Sequence, residues 1–249
     1  MSSFLTRLAL LLSFTSCAYV DILTTGKTKS DDLKSNQAYN YKDASGTYFL
    51  HRKFGNNSKG DFVLKKLLKK SSGGKYLERF VSISAKKQFN PKVKYLNPKM
   101  SETVFWLSGK KHKSLINISN NVIEVETSIN NKRGTRYRFD ITNEKLNCFF
   151  SQLTECVALT NFFNIAQKKK MGQMNFNVIW DGFPFFHEQY LNQKSEVVQS
   201  ARLTYLEKAK NSYKYQLEVD DQIIFYFLDD NLKLKKFYWV ALGVSQERI

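Results

Sequence analysis

Residues 123–141, IEVETSI-NNKRG-TRYRFDI, decide the fold. Ile123, Val125, Thr127 and Ile129 fall on one side of an extended chain, and Glu124, Glu126 and Ser128 on the other. After the turn residues 130–134 the pattern resumes, with Tyr137, Phe139 and Ile141 set against Arg136, Arg138 and Asp140. A side-chain period of two with one apolar and one polar face is the mark of a half-buried β-hairpin. The segment therefore predicts antiparallel strands over 121–141.

The same pattern recurs on both sides of it. MNFNVIW (174–180) aligns Met174, Phe176, Val178 and Trp180, and Asp181-Gly182 reads as a tight turn into a further strand, FPFFHEQY. YKYQLEV (213–219) turns at Asp220-Asp221 into IIFYFL (223–228), and Asp229-Asp230-Asn231 leads to LKLKKFYWV. IIFYFL is apolar on both sides, which predicts a strand covered on both faces. DFVLKKLLKK is read as a strand as well. One segment, about 149–168, carries a helical stripe through Leu153, Cys156, Val157, Phe163 and Ala166. The expected class is mainly β (α+β): a curved antiparallel sheet or half-open barrel of meanders with one main helix. In shape class alone it resembles the half-open barrels of lipoprotein carrier proteins in the bacterial envelope.

The start of the chain concerns address. Arg7, the apolar run Leu8–Phe14 and the small residues after it have the layout of a secretory signal peptide. The run is far shorter than the roughly 20 residues a spanning helix needs. The ending SFTSC (13–17) resembles the lipobox of bacterial lipoproteins, whose cysteine is acylated and becomes the new N-terminus. The resemblance implies a lipid on Cys17 and a membrane partner reached through it. Ala18 in place of the aspartate that retains lipoproteins at the inner membrane implies the outer membrane. The alternative is a protein secreted to the periplasm, with Ser16-Cys17-Ala18 as a small-x-small cleavage site that discards Cys17. The expected organisation is a signal peptide at 1–16, a lipid-anchored tether at 17–45 and one β-rich globular domain at 46–249.

Export implies an oxidising compartment, so Cys148 and Cys156 are expected to form a disulfide. A net charge of +17 suits anionic surfaces. For an exported protein these are lipid head groups, lipopolysaccharide or cell-wall polymer, and nucleic acid is not an expected partner. Lysines that guard strand edges give the same charge without any partner.

Catalytic signals are thin. His51, His112 and His187 are scattered, and the chain has no HExxH, no GxSxG elbow, no GxxxxGK[ST] loop and no GxGxxG. No cofactor and no metal are expected. The aspartate pairs at 220–221 and 229–230 read as turns. The aromatic residues Phe176, Trp180, Phe225 and Phe227 are the candidate lining of a groove for an apolar ligand. Three functions stay open: a non-enzymatic carrier or binding lipoprotein, a structural or assembly lipoprotein that contacts another envelope protein, and an envelope hydrolase without a recognisable motif.

Overall fold

In the computed structural model, the described residues are 34–71, 74–90, 93–142, 145–191 and 196–249. They form one large, open, curved sheet. Its strands are β1 (Lys34–Asp43), β2 (Phe49–Asn56), β3 (Phe62–Lys69), β4 (Tyr76–Asn90), β5 (Val93–Leu107), β6 (Lys110–Ser119), β7 (Val122–Ile129), β8 (Lys132–Asp140), β9 (Asn147–Phe149), β10 (Gln173–Ile179), β11 (Val198–Ala209), β12 (Ser212–Val219), β13 (Gln222–Leu228), β14 (Leu234–Trp239) and β15 (Val244–Arg248).

The order across the sheet runs from β8 down to β1, then β15 down to β9. Sequence neighbours therefore pair as a meander, antiparallel except for the parallel contact of β9 with β10. The one long-range pairing is β1 with β15, where Tyr41 faces Arg248. The predicted hairpin forms in register, Ile123 opposite Phe139 and Val125 opposite Tyr137. Its turn is only Asn130-Asn131, both at positive φ (49° and 64°), so β8 already begins at Lys132. Asparagine tolerates this left-handed geometry, and two-residue turns of that kind match the twist of paired strands. The same device recurs at Asn120-Asn121.

Three expectations are corrected. The tether was expected to run to residue 45, but residues 34–43 are a strand held between β2 and β15. The stretch KSNQAYNYKD is held by its ladder with β2 and, over 41–43, by β15, and Tyr41, 1% exposed, carries its inward face. The single helix over 149–168 is broken into β9, a 3-10 turn (Phe150–Gln152), α1 (Leu153–Leu159) and α2 (Phe162–Lys169). The break lies at Thr160-Asn161. The Thr160 hydroxyl donates to the Val157 carbonyl (2.8 Å), and Asn161 takes φ 67°. The expected strand FPFFHEQY is instead a compact run of turns ending in a π-helical turn, His187–Leu191. Its backbone bonds are local, as when the Phe186 N–H donates to the Gly182 carbonyl (2.9 Å). Gly182 is required there, because a Cβ would meet the Phe105 ring at 2.8 Å and Phe186 at 3.1 Å.

The concave side is filled by the chain itself. β9, the 3-10 turn and α1 pack against β3, β4 and β5. Cys148 of β9 and Cys156 of α1 form the expected disulfide, with Cα atoms 6.0 Å apart. Beside it lies a ring cluster of Phe150, Trp180, Phe186 and Trp239, with centroids 4.5 Å apart for Phe150–Trp180 and 5.3 Å for Phe150–Trp239. No helix among the described residues is long and apolar enough to cross a membrane.

Candidate functional site

The inward faces of β4 and β5 carry hydroxyls where a core would ordinarily be apolar. Ser82, Ser84, Ser101 and Thr103 are all 0% exposed. They receive the plug. Asp181, directly after the buried Trp180, accepts at Oδ1 from the hydroxyls of Ser101 (3.0 Å) and Ser151 (2.8 Å), and at Oδ2 from the Ser151 backbone N–H (2.6 Å). Its carbonyl takes the Thr103 hydroxyl, and the Phe183 carbonyl takes that of Ser114 (2.6 Å). Gln152 accepts from Ser84 and donates to the Ser82 carbonyl (2.9 Å). Burial pushes the Asp181 carboxyl up to about 6, against the pull of the Ser151 and Ser101 bonds and the Lys66 charge. The partners that hold the Asp181 carboxylate are hydroxyls and one amide, a set that fixes position.

On the same side, Arg52 donates to the Ser151 carbonyl (3.1 Å) and to Glu155 Oε2 (3.0 Å). These groups border a cleft with room for about 50 Å³, lined also by Tyr39, Tyr41, Phe54 and Thr154. The Thr154 hydroxyl is buried there without a hydrogen-bond partner among the described residues. The volume suits a few waters, at roughly 10–15 Å³ each.

The outward face of β2–β6 is of a different kind. Lys53 of β2 stands directly opposite Lys65 of β3, and Arg79 of β4 opposite Leu67. Like charges directly opposite each other across a strand pair are destabilising. Burial and then the charge of Lys53 lower the Lys65 ammonium, with Arg79 adding to the effect, and burial with Lys53 and Lys69 lowers His51. Glu102, 1% exposed, is the carboxylate among them, and Arg79 (2.5 Å) and Lys113 (2.8 Å) already engage it. At one end of the face, Lys69 Nζ lies 4.8 Å from the Tyr76 ring centroid, and Tyr76 lies 6.3 Å from Trp106. On the other half of the sheet the outward cations are paired, Arg202 with Glu218, Lys214 with Glu207 (3.9 Å) and Lys236 with Glu247 (3.9 Å). The register thus gathers several cations on one outer face, which is the candidate site.

Cys17 lies outside the described residues. Phe176, Trp180, Phe225 and Phe227 do not line one groove. Phe176 pairs with Ala201, Ala201 with Val219 and Val219 with Gln222, so Phe176 shares the inward face with Ile224 and Tyr226. Phe225 and Phe227 point outward, and Lys214 Nζ sits 4.7 Å over the Phe225 ring. IIFYFL is therefore covered on one face only. Trp180 is core, donating its indole N–H to Gln199 and meeting the His187 ring edge-on at 4.6 Å. His187 is buried, which pushes its imidazole down to about 4. His51 contacts Asn40 Oδ1 at 2.8 Å, and His112 packs on Phe185 at 5.0 Å. The turns at 220–221 and 229–231 form as read. Sequence reading missed Asp181, Arg52 and the Lys53–Lys65 pair. The signal for the last was present as lysine on the outward positions of two consecutive strands.

No family model and no curated protein matches the chain. Among solved structures it is similar to a beta-barrel-like protein of domain of unknown function DUF1849 from Brucella abortus. That match has 7% identity and a TM-score of 0.42, and covers 86% of this chain and 95% of the other.

Proposed function

We propose that the protein is a lipid-anchored, non-enzymatic lipoprotein of the bacterial envelope that acts by binding through its outer surface, as a structural or assembly component. The observation that carries this reading is the self-filled interior. The concave side, where a carrier would hold an acyl chain, is occupied by the chain's own β9, α1 and ring cluster, bolted down through Asp181. A drug-sized or acyl ligand needs a cavity of about 300 Å³ or more, and the residues expected to bound one are split between the two faces of the sheet. The leader and its SFTSC ending support the anchor, and the Cys148–Cys156 bond suits an oxidising compartment.

The test is Cys17→Ser in the native host. The variant is expected to keep its leader and to lose acyl labelling. A variant that is still trimmed, from a parent that carries no acyl label, sinks the anchor and leaves the secreted alternative. Lipid found bound one to one in native mass spectrometry of the detergent-free protein would restore the carrier reading.

A further inference from the structure

We infer that the outward face of β11–β15 is an interface between two copies of this chain, packed sheet on sheet about a two-fold axis. The inference goes beyond the binding reading above and does not need the anchor. Ile223, Phe225 and Phe227 of β13 point outward beside Val240, Tyr238 and Lys236, so a largely apolar stripe two strands wide crosses three rows of the sheet. Ile223 and Val240 are 38% and 44% exposed, and Phe225, Phe227 and Tyr238 are half-buried. β11 and β12 border the stripe on one side with Thr204, Gln216 and four charges, and β15 on the other with Ser245 and Glu247. An apolar centre inside a polar rim is the anatomy of a protein interface.

The charges say what fits it. In one end row Glu207 stands beside Lys214, in the middle row Thr204 beside Gln216, and in the other end row Arg202 beside Glu218. Negative beside positive at one end, and positive beside negative at the other, is a pattern that complements itself. Self-complementarity is what a two-fold interface requires. An axis lying between the sheets and crossing the strands along the middle row turns each strand end for end. Lys214 then faces Glu218 of the second copy, and Glu207 faces Arg202. The same turn lays Phe227 on Ile223 and sets Phe225 and Tyr238 each against its own counterpart. Strand directions stay aligned, as in sandwiches whose sheets cross at about 30°. No charge has to be free: the pairs Arg202–Glu218 and Lys214–Glu207 (3.9 Å) become two sides of a square of alternating signs. A lipid surface or an acidic partner would match only half of that pattern. Five strands and three rows give a contact of roughly 1,000 Å² in total, the size of a weak, reversible interface.

The test is crosslinking of the full chain by a short bis-maleimide in the envelope of the native host, read as mass on a denaturing gel. Facing sheets lie about 10 Å apart, within reach of the reagent. Cys148 and Cys156 are bonded to each other and do not react. Gln216 sits on the axis, so Gln216→Cys alone should give a covalent dimer. Lys214 and Glu218 sit off it, so Lys214→Cys and Glu218→Cys should each give little alone and a strong product when the two are expressed together. These side chains point away from the core, so the thiols test geometry without burdening the fold. Phe225→Asp in the Gln216→Cys chain should lower the product about tenfold or more, because it buries an unpaired charge against its own counterpart. No product at Gln216, or a product as strong from Lys214→Cys alone as from the pair, overturns the inference. So does a product whose mass is not twice that of the chain, or a Lys53→Cys chain, altered on the other half of the sheet, that crosslinks as strongly as Gln216→Cys. The readout is the same for an anchored and a secreted chain, so the dimer and the anchor fail separately.

Discussion

Two buried titratable residues, Asp181 and His187, oppose each other across the acidic range. Asp181 is raised from 3.8 to about 6, so the fold favours its protonated form. Its contribution is complete below about 4 and is lost as pH rises through about 6. His187 is lowered from 6.5 to about 4, so the fold favours the neutral ring, and its contribution is lost as pH falls from 6.5 through about 4. Each is worth about 3 kcal/mol, and between pH 4 and 6.5 they offset. Asp181→Asn removes the first, so its deficit against the wild type should grow by about 3 kcal/mol as pH falls across that window. His187→Phe keeps the ring contact with Trp180 and strands no partner, since Nδ1 has none among the described residues. It should gain on the wild type over the same window. Urea denaturation at a series of pH values checks both, and curves that stay parallel to the wild type would sink the assignment. Neither role was legible in the sequence. Asp181-Gly182 carries the signature of a hairpin turn, and only the packing of Gly182 on Phe105 shows that the chain folds inward there instead. The inward serines of VSIS were equally hidden, because alternation marks two faces without saying which one is wet.

Among elements, the strands were the legible part. β7, β8 and β12 each show the alternation that fits their registers, and the turns after β7 and β12 fall on Asn and Asp pairs. β13 was legible as a strand but not for its single buried face. β1 was illegible because its hold comes from backbone pairing with β2 along its length and with β15 over 41–43, while few of its own side chains are apolar. The plug helix was over-read, since a stripe of apolar residues continues through Thr160-Asn161 although the backbone does not. What holds that interrupted segment to its strand is the bond from Cys148 to Cys156. Closing so short a loop is worth about 2–3 kcal/mol in the chain-entropy account. The double variant Cys148→Ser/Cys156→Ser should lose that amount in urea unfolding, and the wild type should fall to the same value in reductant. If reductant leaves the wild-type midpoint unchanged, the bond contributes nothing to stability.

For the molecule as a whole, the sheet depends on one junction that no local pattern announces. β15 is five residues long, yet it joins β1 to β14 and so unites the two runs of strands. Arg248 donates to Asp229 (2.6 Å) and lies 5.2 Å from the Tyr39 ring, and the Ile249 N–H donates to the Asn40 carbonyl (2.9 Å). Removing residues 244–249 leaves β1 and β14 as two unpaired edges, which template association with other chains. The shortened protein should therefore elute from a gel-filtration column as aggregate. A monomer with the wild-type circular dichroism spectrum would show that the two runs hold together without the junction. The junction also has a consequence in time. The chain is delivered N-terminus first, so β1 and β2 can pair well before β15, the last of the described strands, arrives. Pairings of such long sequence separation form slowly. The sheet cannot be whole until β15 has arrived, and for that interval one side of β1 stays open to whatever holds unfolded chains.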